Sequence, residues 1–146
     1  MDLANNKDWS SFYLIKDGEE QPDNQALCPN TAQALKEIDL CRTGGGTPSV
    51  LFSLLQPGAH IPPHTGMLNC RLICHLPLIV PDNCAIRVGN ETHEWAEGEL
   101  VIFDDTIEHE AWNKSDQDRI ILLFDVWRPE ITEREKKLID LVLNTR

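Results

Sequence analysis

From residue 49 onward the chain reads as a succession of short apolar runs separated by turn residues. Residues 49–55, 68–80, 85–88, 92–95, 100–103 and 119–127 are β-prone, and Gln56-Pro57-Gly58, Pro81-Asp82-Asn83, Gly89-Asn90, Glu97-Gly98 and the polar stretch 113–118 break them. Many short strands at this spacing predict an all-β sandwich or a small barrel. Residues 8–16, with Trp9, Phe12 and Tyr13, predict one further strand, closed by the Asp17-Gly18 turn. Two segments carry a helical period instead. Ala34, Leu35 and Ile38 share a face after Pro29, with Asn30 or Thr31 as N-cap and Gly44-Gly45-Gly46 as the stop and a plain connector. Thr132-Glu133-Arg134-Glu135 has the form of a capping box, and Leu138, Leu141 and Val142 supply an apolar face behind it. The pattern predicts a mainly β protein with one helix before the β-core and one after it.

Period-two alternation assigns faces within two of these strands. Arg71, Ile73 and His75 fall on one side of theirs, opposite Leu72, Cys74 and Leu76. Arg119, Ile121 and Leu123 share a face of the last strand. A length of 146 residues, without internal repeats, fits one domain over 1–146 that buries a core unaided. Thirteen Lys and Arg against 24 Asp and Glu leave a net charge of −11. No surplus cation is then available to displace counterions from phosphates, so nonspecific nucleic-acid binding and anionic membrane surfaces are disfavoured. The five cysteines form no CxxC pair and are odd in number, which predicts reduced core thiols and a cytoplasmic protein. The first eight residues lack the basic and apolar regions of a signal peptide, and no apolar run is long enough to span a bilayer.

The candidate chemistry gathers around His64, His75, His109 and Arg119. His64 follows two prolines in a turn-rich segment, and His109 follows an apolar strand and an acidic turn. They are 45 positions apart, enough for separate strands facing each other across a barrel. Two histidines and one carboxylate make the facial triad of non-haem iron, often as His-x-Asp plus a distant His. Here the spacing is His64-Thr65-Gly66, so the carboxylate is absent. Asp104 and Asp105 are candidates to orient an imidazole or to act as ligands. Arg119, opening an apolar strand, offers a fork for a carboxylate or else snorkels at the strand end.

The run Pro57-Gly58-x-His60-x-x-Pro63-His64-Thr65-Gly66-x-x-Asn69-Cys70-Arg71-Leu72-x-x-His75-Leu76 resembles the aspartyl/asparaginyl β-hydroxylase family. So do Phe103-Asp104-Asp105, Glu108-His109-Glu110-x-Trp112-Asn113, Asp125-Val126-Trp127-Arg128-Pro129-Glu130, and Trp9-Ser10-x-Phe12-x-Leu14 near the N-terminus. The resemblance covers nearly the whole chain in order and spacing. It implies a double-stranded β-helix, a cupin-like jelly roll, and an Fe(II)- and 2-oxoglutarate-dependent dioxygenase. Such an enzyme hydroxylates the β-carbon of an Asp or Asn residue or a related group in a peptide or small molecule, with succinate and CO2 as co-products. The family's own pattern has Gly where the third ligand would stand. By the resemblance His64 and His109 hold the metal, Arg119 with Ser53 takes the distal carboxylate of 2-oxoglutarate, and His75 contacts the cosubstrate near the metal. Two departures stand out. Ile73 occupies the second arginine position of Asn-Cys-Arg-Leu-Arg-x-His, a loss of roughly 1.5–3 kcal/mol of charge-assisted contact unless Arg71 on the same face compensates. The chain also begins almost at the Trp-Ser-x-Phe motif, without the upstream segment that contributes to substrate recognition in such domains. Halogenation at the same iron and a non-catalytic cupin-like protein binding metal or a small acid are the alternatives.

Overall fold

Strand β10 (Arg119–Trp127) is the spine of the molecule in this computed structural model, which describes residues 8–145. Met1–Lys7, which hold most of the stretch read as lacking a signal peptide, and Arg146 lie outside the described residues. The strand is apolar from Ile120 to Phe124 because both of its faces are covered. Ile121 packs toward the second sheet, while Leu122 and Phe124 pack outward against Leu14, Leu35 and Leu40. On one side β10 pairs with β3 (Val50–Leu55) and on the other with β5 (Arg71–Ile79), both antiparallel. With β1 (Trp9–Lys16), β2 (Glu19–Glu20) and β8 (Val101–Phe103) they form a six-stranded sheet in the order β2-β1-β3-β10-β5-β8.

The second sheet has four strands: β4 (His60–His64), β6 (Cys84–Val88), β7 (Glu91–Glu94) and β9 (His109–Asn113), ordered β4-β9-β6-β7. Ile73, Phe103 and Ile121 of the large sheet meet Ala85 and Ile86 of the small one, so the core lies between the sheets. This is the jelly roll that the family resemblance implies, and it agrees with the all-β sandwich or barrel predicted by the strand pattern. Burying these apolar faces at about 25 cal/mol per Å2 supplies the main drive for holding the layers together.

Strands β4 and β9 were absent from the strand pattern, which read 57–66 as turn-rich and stopped at an acidic turn before His109. Pro62 and Pro63 sit inside β4 because it is the sheet's edge, where a missing N–H costs no ladder bond, and a register irregularity between Ile61 and His64 absorbs them. The helix expected before the core is two short ones, α1 (Pro22–Leu27) and α2 (Pro29–Leu35). Asn30 and Thr31 lie inside α2 rather than capping it. Pro29 takes the first helical position, where its missing N–H is no loss, and the Cys28 side chain makes no cap hydrogen bond. The triple glycine comes well after the end of α2. The last helix, α3 (Glu133–Asn144), starts on the expected capping box: Thr132 Oγ1 accepts from Glu135 N at 3.2 Å, and Thr132 N donates to Glu135 Oε2 at 2.7 Å. All five cysteines are free thiols, four of them buried. Among the described residues no helix is long and apolar enough to cross a membrane.

Candidate active site

The inward faces of the two sheets leave a cavity of about 760 Å3 whose lining includes His64, His75, His109, Arg71, Arg119 and Ser53, all six side chains singled out in the sequence. His64 and His109 are register partners on adjacent strands β4 and β9, with ring centroids 4.2 Å apart. They stand side by side in one sheet, not across the barrel. Antiparallel pairing with side chains on a common face brings them together. Each imidazole is oriented through its Nδ1, by the Pro62 carbonyl at 2.8 Å for His64 and the Ile107 carbonyl at 2.9 Å for His109. A carbonyl only accepts, so Nδ1 carries the hydrogen, and Nε2 is the nitrogen left to offer a lone pair to a metal. Burial also pushes the His109 pKa below its ordinary value, which favours the neutral ring. Two imidazoles with Nδ1 held by backbone carbonyls and Nε2 free are a donor set suited to a divalent first-row metal.

Asp104 and Asp105 do not hold the imidazoles. Asp104 accepts from the Thr106 backbone N at 3.0 Å and hydroxyl at 2.7 Å, and pairs with Arg128. Asp105 accepts from Arg71 at 3.1 Å. The backbone carbonyl two residues before each histidine is nearer to hand and does the orienting instead. Among the described residues no three His, Cys, Asp or Glu side chains cluster as a metal cage. Asp105 nonetheless shapes the site. A Cβ placed on Gly66 would lie 2.1 Å from Asp105 Oδ2, so the volume of a side chain at 66 is already filled.

Deeper in the cavity Arg119 is 1% exposed, so it does not snorkel. One terminal nitrogen donates to Ser53 Oγ at 3.2 Å, its Nε has no partner, and the guanidinium lies 5.3 Å from the Trp95 ring centroid. Burial lowers its pKa to about 10, which leaves it charged at neutral pH. Among the described residues no carboxylate pairs with it. A buried cation without a counter-ion is costly, and an anion entering the cavity relieves that cost. His75 stacks on Trp95 at 5.2 Å, and its Nδ1 is buried without a partner. Burial, then Arg119 and His109, hold its pKa well below the usual value, so it is a neutral polar group in the wall. Arg71 lines the cavity too, but Asp125 and Asp105 each take one of its terminal nitrogens at 3.1 Å. Ile73 packs with Trp95, Phe103 and Ile121, so the wall between Arg71 and His75 is apolar. The sequence reading missed Trp95 and Trp9, although the aromatic-rich segment around Trp9 was visible.

A model of the family described as aspartyl/asparaginyl beta-hydroxylase matches residues 1–129. The chain belongs to this family. Mouse and human aspartyl/asparaginyl beta-hydroxylases are each 38% identical over 144 residues, 96% of this chain but 19% and 18% of theirs. An ornithine lipid ester-linked acyl 2-hydroxylase of Rhizobium tropici is 42% identical over 124 residues, 83% of this chain and 42% of its own. The chain thus spans about a fifth of the mammalian β-hydroxylases and under half of the bacterial relative. Among solved structures, a cupin domain of an XRE-family transcriptional regulator from Enterobacter cloacae aligns with TM-score 0.54 at 11% identity, over 84% of this chain and 99% of that one. At that identity the likeness speaks for the fold alone, and it agrees with the jelly roll of this β-hydroxylase-family member.

Proposed function

We propose that the protein is an Fe(II)- and 2-oxoglutarate-dependent dioxygenase that hydroxylates the β-carbon of an Asp or Asn residue, or a related group, in a peptide or small molecule. The observation that carries this reading is the meeting of two free Nε2 atoms, in one cavity, with a buried guanidinium that has no carboxylate partner among the described residues and whose Nε is unpaired. The first fits a metal, and the second fits the far carboxylate of a small diacid.

His64 and His109 would hold the iron through Nε2, each kept in its tautomer by a backbone carbonyl. Iron with 2-oxoglutarate and dioxygen supplies the oxidising power, and the products are a hydroxylated substrate, succinate and CO2. Arg119 and Ser53 anchor the distal carboxylate with charge-assisted hydrogen bonds. His75 would offer its unpartnered Nδ1 to the cosubstrate. Arg71 is less available, because each of its terminal nitrogens already gives a hydrogen to Asp105 or Asp125, while its Nε–H is unpartnered. The relatives are named for hydroxylation of different substrates, aspartyl or asparaginyl groups and an acyl chain. What they share is hydroxyl insertion at carbon, and that step is what we assign to the cavity.

Purified protein given Fe(II), ascorbate and 2-oxoglutarate is expected to form succinate slowly without substrate. His109→Ala abolishes this, and Arg119→Ala raises the 2-oxoglutarate concentration required. A protein that binds neither metal nor 2-oxoglutarate overturns the reading. Binding of both with no succinate supports the non-catalytic alternative, and a chlorinated product supports halogenation.

A further inference from the structure

Ser53 has an unusual set of neighbours for a buried hydroxyl. Its side chain is 1% exposed on the inward face of β3. Trp9 on β1 and Arg119 on β10 are both register partners of Leu55, two residues further along the same face. That diagonal offset lets a long side chain from each flanking strand reach back to Ser53. The Trp9 indole Nε1–H donates to Ser53 Oγ at 2.7 Å, and an Arg119 N–H donates to it at 3.2 Å.

Both neighbours are obligate donors. An indole N–H and a guanidinium have no acceptor to offer. A serine hydroxyl has two lone pairs and one hydrogen, so these two bonds fill its acceptor capacity. Its hydrogen must then point to a third partner, and no described residue accepts it. Trp9, Ser53 and Arg119 all line the cavity. The hydroxyl hydrogen and the unpartnered Arg119 Nε–H are therefore left as two unpaired donors on one wall.

From this geometry we infer that Trp9 is a positioning residue: by occupying one lone pair of Ser53, it fixes that hydroxyl as a donor to an anionic carboxylate. Without the indole N–H the hydroxyl can rotate, and its hydrogen is no longer committed to the cavity. The inference rests on the 2-oxoglutarate reading for the identity of the anion. It assigns a chemical reason to the Trp-Ser-x-Phe motif, which lies on β1, a different strand from the proposed cosubstrate contacts Ser53, His75 and Arg119.

The test uses Fe(II)-loaded protein under anaerobic conditions, titrated calorimetrically with 2-oxoglutarate. Trp9→Phe keeps a ring packed against Leu55, Ala59, Ile61 and Ala111 and removes only the N–H side of the indole. It is expected to bind 2-oxoglutarate about three- to tenfold more weakly, and Ser53→Ala about tenfold. In the Ser53→Ala background Trp9→Phe is expected to add nothing, because the effect passes through the hydroxyl. In turnover, Trp9→Phe raises the KM for 2-oxoglutarate and leaves kcat within about twofold. Equal binding by wild type and Trp9→Phe overturns the inference alone, as does an undiminished effect of Trp9→Phe once the hydroxyl is gone. Failure of the wild type to bind 2-oxoglutarate overturns the functional reading, and the inference falls with it.

Discussion

Gly66 shows how one missing side chain shapes this site. It stands two residues after His64, where a His-x-Asp pattern would put the third iron ligand, and its backbone N–H donates to the Asp105 carbonyl at 2.7 Å. The space a Cβ would need holds the Asp105 carboxylate, and that carboxylate is tied down by Arg71. Gly66→Asp is thus expected to destabilise the protein by about 1–3 kcal/mol through overpacking and like charge, not to complete a triad. Adding Asp105→Ala should recover much of that loss, and thermal denaturation of the two variants checks it. A single variant as stable as wild type would contradict the crowding argument. At this scale His64, His75 and His109 could be picked out because each stands within a motif, and Arg119 because it opens an apolar strand, whereas Ser53 and the cosubstrate role of Arg119 were named through the family resemblance. What orients them was not legible. The Pro62 and Ile107 carbonyls are backbone groups, and no residue type announces them.

At the scale of elements, strands with clean alternation or a continuous apolar run could be read directly, and β10 was read to the residue. The strands that carry the two histidines were hidden. One contains two prolines, which signal a turn unless the strand is known to lie at an edge. The other, His109-Glu110-Ala111-Trp112-Asn113, has no apolar run, because its outward Glu110 pairs with Arg87 and His60. The helix α3 was legible for the opposite reason, as its cap is local chemistry. Thr132→Ala removes the hydroxyl that accepts from Glu135 N and is expected to cost about 1 kcal/mol. Hydrogen exchange should show the loss confined to the first turns of α3, with the β-core amides unchanged. Uniform acceleration across the molecule would mean that the cap supports more than its own helix.

Across the whole molecule, Arg71 joins parts that are far apart in the chain. From β5 it binds Asp125 of β10 and Asp105 of the loop that leads into β9, so one guanidinium links the large sheet to the small one. Asp125 also accepts from Ser49 N at 2.8 Å. Burial still pushes its pKa above the ordinary carboxylate value, outweighing the lowering by Arg71. Arg71→Leu leaves two carboxylates without their cation and is expected to cost about 3–5 kcal/mol by urea denaturation at neutral pH. The sign of its pH dependence follows from that burial. A native carboxyl with a raised pKa binds protons more readily than the unfolded chain, so stability rises as pH falls through that pKa toward the unfolded value. With Arg71 gone the pKa rises further, and the deficit of the variant should narrow on acidification. A deficit that widens as pH falls would show that the carboxylates are not what the arginine stabilises.

The residues by themselves determined that this chain is mainly β, that a helix closes it on a capping box, and that histidines without a neighbouring carboxylate share a family pattern with Arg119. Those features are local, set by alternation, turn chemistry and motif spacing. Only the tertiary structure decided that His64 and His109 are neighbours in one sheet, that Asp105 fills the place left by Gly66, and that Trp9 and Arg119 converge on one hydroxyl. These depend on strand register, and register is chosen by which faces can be buried together across the chain, a property that no single segment carries.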